Sequence, residues 1–510
     1  MLSPSNRFFS AILKLKDLAL VAKCVMVLGT TSGAGKSWLA TALCRWYARQ
    51  GLKVAPFKAQ NMSNNSRVVG SCGLFDTEGE IGSAQYYQAL AARAKPDIRM
   101  NPLLLKPERD THSQVILMGQ VHSELTNTPW RGRSEKVWPT IAQALDSLRA
   151  EHDVVVIEGA GSPAEINLMA NDIVNMRVAR YAHAQCLLVC DIDRGGSFAH
   201  LYGTWALLSP EDQACIRGFV LNKFRGDPKL LAPAPEQLFD LTGIETVAVL
   251  PMWREHGLPE EDGVFDDAVH QTADLVQSVY VMAYPQMSNL DEFEALKRVC
   301  GVRLIWARCK EDLFHLGAKD WIILPGSKLT SQDLLWLRRQ GLDQCVVRHA
   351  EQGGVVLGIC GGLQMLGCFL EDPHGVEGSA KGLGLLSIKT RFEIAKTVRS
   401  CQTQFTQVLG SWSRLSYLSF KGFEIHHGQT TVLESKDGAS GNCLALIPDL
   451  AWQNKAGNVL GLYAHGLFEN AIVLQKLFDH HGTPLDQVFD NLADFLHEHM
   501  GVAVLERMIE

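Results

Sequence analysis

A glycine-rich segment near the N-terminus carries the first residues that could do chemistry. It reads GTTSGAGKS over residues 29–37, after a short apolar run and before a helix-like stretch. A glycine turn between a strand and a helix directs backbone N–H groups and the helix dipole at one point, which suits a polyphosphate. In such a loop Lys36 would reach the β- and γ-phosphates, and the Ser37 hydroxyl would ligate Mg²⁺. We therefore predict an ATP site, with a plain glycine turn as the competing interpretation.

Further polar residues at predicted strand ends fall behind this loop in chain order. Glu158 ends an apolar run, where a carboxylate can hold Mg²⁺ directly or through water. Asn222 ends another run and could hydrogen-bond the adenine edge. Glu80, Asp191 and Asp193 are further candidate metal or substrate contacts, and salt-bridged scaffold is their alternative role. The residues predicted to bind ATP are Thr30, Gly33, Gly35, Lys36, Ser37 and Asn222.

A cysteine flanked by glycines is the second chemical feature. Cys360 has Gly358 two residues before it and Gly362 two residues after it, between an apolar run and a helix-like segment. Side chains at those positions would clash in a sharp strand-to-helix elbow, so the glycines favour a nucleophile held on such a turn. The following helix N-terminus favours the thiolate, which is the nucleophilic form. A buried structural thiol is the alternative, and the paired glycines argue against it.

A thiolate attacks a carboxamide only when a base and oxyanion donors assist it. His465 follows another short apolar run far downstream and is the candidate base, with a core histidine as the alternative. Gly326, and Gly361 directly after the cysteine, are candidates for backbone N–H donors to the oxyanion. Together these residues predict a cysteine–histidine site that hydrolyses an amide.

Short apolar runs alternate with helix-like segments along most of the chain, a pattern typical of βαβ units and parallel sheets. The runs cover residues 24–30, 153–161, 184–193, 216–223, 278–285, 302–307, 320–327 and 353–362. Residues 255–277 are acidic and contain a proline and glycines, which indicates an exposed connection. We therefore predict an α/β protein with an N-terminal extension (1–21), a P-loop domain (22–254), this linker, and a second α/β domain (278–510).

The two motifs each resemble those of a known family. The loop, with Thr30 where the common phosphate loop has glycine, is similar to that of the dethiobiotin synthetase group, whose members activate carboxylates with ATP. The cysteine elbow resembles that of class I glutamine amidotransferases, in which Gln364 would lie near the bound glutamine. Many of those enzymes place a glutamate two residues after the histidine, but this chain has Leu467 there and Glu469 two residues later. A Cys–His dyad and another orienting group therefore both stay open.

An amide-rich segment narrows the resemblance to the cobyric acid synthase family. It reads PFKAQNMSNNS over residues 56–66, and GEIGSAQ (79–85) and MNPLLLKP (100–107) follow it. Such a surface suits a large acceptor that carries amides and carboxylates. The resemblance runs in order from about residue 22 to near 470, through both predicted domains. The residues that we expect at the acceptor are Lys58, Gln60, Asn61, Asn64 and Gln85.

The resemblance implies ATP- and glutamine-dependent amidation of the b, d, e and g carboxylates of adenosylcobyrinic acid a,c-diamide, with Mg²⁺ as the metal. ATP would phosphorylate a corrin carboxylate while Cys360 and His465 release ammonia, which would pass internally to the acyl phosphate. A cobyrinic acid a,c-diamide synthase, or another glutamine-dependent amidoligase, is the alternative within enzymes. A partitioning ATPase would lack the elbow, and a scaffold with a dead glutaminase domain would have lost one of these two residues.

Composition limits the other function classes. The chain has 510 residues and a net charge of −7, so we expect two to four domains and no basic surface for nucleic acid or membranes. Its 13 cysteines include no C-x-x-C pair, which favours reduced thiols and a cytoplasmic location over a disulfide framework or a zinc site. Lysines interrupt the apolar N-terminal stretch, so a signal peptide is not expected.

Overall fold

The structure is a computed structural model. It describes residues 21–70, 77–109, 111–259, 277–433, 441–480 and 483–510. Most of the predicted N-terminal extension and of the predicted linker lies outside the described residues. Where the chain is described, no helix is long and apolar enough to cross a membrane. The prediction of an α/β protein with two successive sheet systems is confirmed.

The first half of the chain alternates strands and helices. Its strands are β1 (Lys23–Gly29), β2 (Val54–Phe57), β3 (Gln60–Met62), β4 (Ser66–Gly70), β5 (Glu78–Gly82), β6 (Leu103–Arg109), β7 (His112–Leu117), β8 (Gln120–Val121), β9 (Val154–Glu158), β10 (Gln185–Asp191), β11 (Ile216–Phe224) and β12 (Thr246–Pro251). Its helices are α1 (Lys36–Arg49), α2 (Ser83–Ala91), α3 (Ser123–Thr126), α4 (Trp130–Glu151), α5 (Met176–Ala182), α6 (Ser197–Leu207), α7 (Pro210–Gln213) and α8 (Ala234–Thr242).

A six-stranded parallel sheet forms the centre of the first domain, in the order β12-β11-β10-β1-β9-β2. β1 lies between β10 and β9 because its apolar residues are buried on both faces. The carboxyl ends of these three strands share one edge, where open α/β sheets bind ligands. The chain order therefore brings the phosphate loop, Glu158 and Asp191 to the same edge.

Two smaller sheets extend the first domain. β3 joins β6, β7 and β8, so the amide-rich segment is anchored by backbone hydrogen bonds to β6. β4 and β5 form a separate antiparallel pair. This β4/β5 pair contacts β21 and β22 of the second domain, whose bounds are given next. It is therefore a structural link between the two halves of the chain.

The second half repeats the α/β alternation. Its strands are β13 (Gln277–Met282), β14 (Met287–Ser288), β15 (Val302–Ala307), β16 (Trp321–Leu324), β17 (Gly326–Ser327), β18 (Val355–Ile359), β19 (Phe369–Glu371), β20 (Ala380–Lys381), β21 (Ile388–Gln404), β22 (Ser419–Val432), β23 (Leu444–Ile447), β24 (Ala451–Gln453) and β25 (Val459–Leu462). Its helices are α9 (Glu294–Lys297), α10 (Thr330–Gln340), α11 (Leu342–Glu351), α12 (Gly361–Leu366), α13 (Ala471–Phe478), α14 (Leu485–Met500) and α15 (Val502–Arg507).

A seven-stranded sheet in the order β15-β13-β16-β18-β25-β24-β23 forms the centre of the second domain. Its first five strands are parallel, and the last two run antiparallel to their neighbours. β18 and β25 are neighbours. The residues that follow these two strands, Cys360 and His465, therefore leave the sheet at the same edge although they are far apart in the chain.

The last two helices depart from the predicted domain boundary. We predicted residues 278–510 as one domain, whereas α14 and α15 pack on α1 of the first domain. Phe489 and Leu492 share an apolar cluster with residues of α1 and β1. Arg45 Nε donates to Asp490 Oδ1 at 2.8 Å across the same contact. The apolar face of α14 needs a partner, and α1 provides one that the sequence order did not reveal.

Candidate active sites

The loop after β1 wraps around the start of α1. Gly33 and Gly35 have φ angles of 72° and 101°, a region that side chains rarely adopt. Lys36 Nζ donates to the carbonyl oxygens of Thr31 at 3.0 Å and of Gly161 at 3.2 Å. Its ammonium therefore lies folded onto the loop, held by carbonyl oxygens that a phosphate oxygen could replace. A glycine loop at a helix N-terminus with a lysine ammonium beside it is the arrangement that binds a polyphosphate.

Glu158 gathers donors from three elements beside this loop. Its Oε1 accepts from Ser37 Oγ at 2.8 Å and from Lys58 Nζ at 2.9 Å, and its Oε2 accepts from Gln88 Nε2 at 2.6 Å and from Gln85 Nε2 at 3.5 Å. Burial would raise the pKa of Glu158, but Lys58 and the hydrogen bonds hold the pKa below its usual range. An ionised carboxylate therefore sits next to the Ser37 hydroxyl.

These two oxygens fit a magnesium ion. Mg²⁺ prefers hard oxygen ligands and keeps several waters or phosphate oxygens besides the protein groups. Ser37 and Glu158 supply one hydroxyl and one carboxylate within 2.8 Å of each other. Within the described ranges no cluster of three or more His, Cys, Asp or Glu could hold a metal on its own. The remaining ligands would therefore come from the nucleotide and from water.

Asn222 lies beneath the phosphate loop. Its Nδ2 donates to the carbonyl oxygen of Ala34 at 2.9 Å, so this amide helps to fix the loop, and its contact with the adenine edge stays a prediction. A side chain at Gly35 would come within 2.1 Å of the same nitrogen, which explains the glycine. Nearby, Lys223 Nζ bridges the carbonyl oxygen of Gly33 at 2.8 Å and Asp191 Oδ2 at 3.1 Å.

Three acidic candidates have cationic partners. Asp191 accepts from Lys223 as described, and Asp193 forms an ion pair with Arg225. Glu80 accepts from Lys106 Nζ at 2.6 Å and from Lys396 Nζ at 2.5 Å, and these two lysines hold the pKa of this buried carboxyl well below its usual range. The ion pairs match the scaffold alternative for all three residues. Lys396 belongs to β21, so the Glu80 cluster joins the two domains.

The amide-rich segment lies against the Glu158 cluster. Asn61 Nδ2 donates to Gln85 Oε1 at 3.3 Å, and Gln85 in turn contacts Glu158. Gln60 Oε1 and Asn64 Oδ1 are buried without a hydrogen-bond partner. Buried polar atoms are normally satisfied, so acceptors left open here suit donors on a substrate. The structure thus brings the predicted acceptor residues and the phosphate loop into one region.

Cys360 occupies the turn between β18 and α12. Its φ and ψ angles of 52° and −106° are strained for a residue with a side chain. A side chain at Gly362 would come within 1.9 Å of the Leu324 carbonyl oxygen, and one at Gly358 within 2.6 Å of Leu366. Both glycines are therefore required for the helix to begin so close to the sheet. The turn holds the thiol at the carboxyl edge of the sheet, as a nucleophile elbow does.

His465 is oriented by a residue that sequence reasoning missed. Its Nδ1 lies 2.9 Å from Oε1 of Glu292, and the other Glu292 oxygen accepts the backbone N–H of Gly466 at 2.9 Å. Burial lowers the pKa of His465, but the charges of Glu292 and Cys360 and the hydrogen bonds to both raise it to about 10. Cys360, His465 and Glu292 therefore form a hydrogen-bonded triad with the imidazole in the middle.

Glu292 escaped prediction because it lies upstream of both other members of the triad. It belongs to a 3-10 turn, Leu290–Phe293, and is 173 residues away from His465. The only signal for Glu292 in the sequence was an acidic stretch soon after the first strand of the second domain. That stretch cannot be linked to His465 until the strand order is known. Glu469, the acidic residue closest to His465 in the chain, instead accepts from Arg67 of the first domain at 2.6 Å.

The predicted oxyanion and glutamine residues surround the triad. A side chain at Gly326 would come within 2.7 Å of the His465 ring, and one at Gly361 within 2.8 Å of the backbone nitrogen of Ser327. Gln364 is buried, and its Oε1 accepts from Thr330 Oγ1 at 2.9 Å. The pocket beside Cys360 is also lined by Lys106 of the first domain. Both domains therefore contribute to its wall.

Two protein-family models match the chain in the order of its domains. The model described as CobQ/CobB/MinD/ParA nucleotide binding domain matches residues 25–259. The model described as CobB/CobQ-like glutamine amidotransferase domain matches residues 278–472. The first match includes the phosphate loop and Glu158, and the second includes the whole triad. Nucleotide binding and a glutamine amidotransferase domain are thus assigned to the two halves.

Curated relatives match almost the whole chain. A cobyric acid synthase of Variovorax paradoxus (strain S110) is 66% identical over 96% of this chain and 100% of its own length. Those of Polaromonas naphthalenivorans (strain CJ2) and Acidovorax ebreus (strain TPSY) are each 63% identical over 96% of this chain, and over 100% and 99% of their own lengths. The phosphate site and the cysteine–histidine–glutamate site thus stand in a chain that belongs to the cobyric acid synthase family.

Proposed function

We propose that this chain uses ATP and glutamine to amidate the b, d, e and g carboxylates of adenosylcobyrinic acid a,c-diamide. One observation carries the proposal. The phosphate loop adjoins the amide-rich segment through Glu158, and Lys106 of the first domain lines the pocket beside Cys360 of the cysteine–histidine–glutamate triad. The first pairing suits activation of a carboxylate on a large, amide-bearing acceptor, and the second suits release of ammonia from glutamine.

The first half-reaction makes an acyl phosphate. A carboxylate is a poor acyl donor, so transfer of the γ-phosphoryl group to the acceptor carboxylate creates a leaving group. Lys36 and Lys58 would balance negative charge on that phosphoryl group. Ser37 and Glu158 would hold Mg²⁺, which when bound neutralises charge on the phosphate oxygens. Gln60, Asn64 and the other amide-bearing side chains of the segment would bind the acceptor's polar edge.

The second half-reaction releases ammonia from glutamine. The Cys360 thiolate attacks the γ-carboxamide carbon, and the N–H groups of Gly326 and Gly361 would bind the resulting oxyanion. His465 gives its Nε2 proton to the departing nitrogen, since its Nδ1 faces Glu292. Water then hydrolyses the glutamyl thioester and regenerates the thiolate, with glutamate as the product.

The domain junction supports an internal route for the ammonia. Lys106 lines the Cys360 pocket and also contacts Glu80 of the β4/β5 pair, so the wall of that pocket continues into the first domain. Ammonia released to water at neutral pH would be mostly ammonium, which is not nucleophilic.

We place the protein in the cytoplasm, and its cysteines support this: those within the described residues are free thiols.

The test is ATP-dependent amidation followed by mass spectrometry, with wild type and Cys360→Ala compared. We expect wild type to add four amides to adenosylcobyrinic acid a,c-diamide with either glutamine or ammonium. Cys360→Ala should do so with ammonium only, because it loses the thiolate but keeps the phosphate site. If wild type leaves the corrin unchanged with both nitrogen sources, the proposed acceptor is wrong. If Cys360→Ala still uses glutamine, the proposed nucleophile is wrong.

A further inference from the structure

Arg67 reaches from the first domain into the acidic groups around the triad. It lies on β4 and its side chain is 2% exposed. Its guanidinium forms an ion pair with Asp291 and donates to a second carboxylate, Glu469, whose Oε1 is 2.6 Å away. The same group lies over the Phe423 ring at 4.9 Å. One buried cation of the first domain thus meets three elements of the second.

Each of the three residues that Arg67 contacts either touches His465 or lies in a turn next to it. Asp291 precedes Glu292 in the same 3-10 turn, so a shift of that turn moves the carboxylate that orients the imidazole. Glu469 ends the turn that begins directly after His465 and Gly466. Phe423 stacks on the His465 ring, with centroids 5.3 Å apart and planes at 23°. A change in the position of Arg67 would therefore affect the position of the imidazole through three contacts.

The other end of this set of contacts is residues 60–66, the C-terminal part of the amide-rich segment. Ser66 N donates to Asn289 Oδ1 at 2.9 Å, and Leu290 N donates back to Asn65 Oδ1 at 3.0 Å. These reciprocal bonds fasten the end of the segment to the start of the Glu292 turn. Asn64, directly before them, has the buried and unpartnered Oδ1 that we assign to the acceptor. A ligand that engages Asn64 thus acts on atoms adjoining both the turn and Arg67.

We propose that Arg67 is a positioning residue that couples acceptor binding at residues 60–66 to the alignment of Cys360, His465 and Glu292. Acceptor contacts shift the end of the segment, and the buried Arg67 ion pairs carry that shift to the Glu292 turn. Glutamine hydrolysis is then fast only when an acceptor is present to use the ammonia. The inference rests on the proposed function, because it takes the corrin as the ligand of the segment.

The experiment measures glutamate release with and without ATP plus adenosylcobyrinic acid a,c-diamide. The ratio of the two rates is the stimulation. We expect stimulation in wild type and a ratio about tenfold lower in Arg67→Met, since site-to-site coupling in proteins is typically worth a factor of about 5 to 150. Amidation with ammonium should stay at the wild-type rate, because it needs no triad. Arg67→Lys should give an intermediate ratio, since one ammonium cannot span both carboxylates.

Controls separate coupling from general damage. Arg99→Met removes an arginine that also bridges two carboxylates, Asp97 and Glu151, but within the first domain, and we expect it to leave the stimulation unchanged. Glu469→Gln keeps the shape of the site and weakens the Arg67 contact, so it provides the test if Arg67→Met does not fold. We expect Glu469→Gln to lower the stimulation as well.

Three results would overturn the inference. The first is wild-type stimulation in Arg67→Met, or in Glu469→Gln if the arginine variant is insoluble. The second is a loss of ammonium-dependent and glutamine-dependent amidation to the same extent, which is what a purely structural role predicts. Failure of the proposed function gives a different pattern: wild type would leave the corrin unamidated with ammonium. The third result is a wild type that releases glutamate at the same rate with and without the corrin, which would contradict the coupling itself.

Discussion

Replacing Glu292 with glutamine tests the triad most directly. The substitution keeps the size of the side chain and removes the charge that faces His465 Nδ1 at 2.9 Å. Both side chains are almost completely buried, at 1% and 0% exposure, so solvent screens their interaction little. At an effective dielectric constant of about 20, two unit charges about 4 Å apart attract by about 4 kcal/mol. That free energy corresponds to about three powers of ten in rate.

We therefore expect Glu292→Gln to lower kcat for glutamine hydrolysis by about 10³-fold, somewhat less than the effect of the matching substitution in a serine protease triad. The pKa of His465 should fall from about 10, because the main group that stabilises the imidazolium is gone. The alkylation rate of Cys360 by iodoacetamide at neutral pH, followed on its peptide by mass spectrometry, should fall as the ion pair is lost. Amidation with ammonium should stay unchanged.

Glu294→Gln is the matched control for this experiment. Glu294 lies two residues on and pairs with Lys297 at 3.0 Å, an interaction within its own short helix. It should leave glutamine hydrolysis at the wild-type rate. Retention of more than about a tenth of wild-type glutaminase activity in Glu292→Gln would contradict this prediction, since it would limit the contribution of the carboxylate to about 1.4 kcal/mol. His465 would then act with Cys360 as a dyad.

Two further predictions concern stability. As the pH rises from about 6.5 to 10, the free energy of unfolding of wild type should fall relative to that of Glu292→Gln, because unfolding releases the proton that folded His465 keeps up to its raised pKa. Urea titrations of the two proteins across this pH range measure the difference. A difference that does not change with pH would contradict the prediction. Phe489→Ala should destabilise the first domain by about 3–5 kcal/mol in thermal unfolding, because the ring is 1% exposed between α14 and α1. The control is Phe239→Ala. That side chain is 46% exposed, so its loss should change stability by less than about 0.5 kcal/mol.

The phosphate loop and the cysteine elbow could be read from local sequence because both depend on short-range geometry. Gly33 and Gly35 adopt positive φ angles, and Gly358 and Gly362 leave no room for a side chain. Such requirements act within a few residues, so they leave a visible pattern of glycines. The predicted parallel strands were readable for a similar reason, since strands buried on both faces are continuous apolar runs.

Other features depended on contacts between distant segments. The contact of the Asn222 amide with the phosphate loop was not predicted, because it depends on β11 ending beneath that loop. The packing of α14 on α1 was not predicted either, because the chain returns to the first domain only after it has completed the second. In both cases the contacting partner was not predicted. A partner chosen by strand order or by leftover apolar surface has no signature in the neighbouring sequence.

The two chemistries and their order along the chain can be read from the sequence alone. A phosphate loop, an amide-rich acceptor segment and a cysteine elbow are each defined by residue types at close spacing. The carboxylate that orients His465 is visible only in the folded chain. The adjacency of β18 and β25 brings Cys360 and His465 together, and the turn after β14 then places Glu292, not Glu469, against the imidazole. Hydrogen bonds and ion pairs act over a few ångströms in space, so the folded chain, and not its linear order, selects the partners.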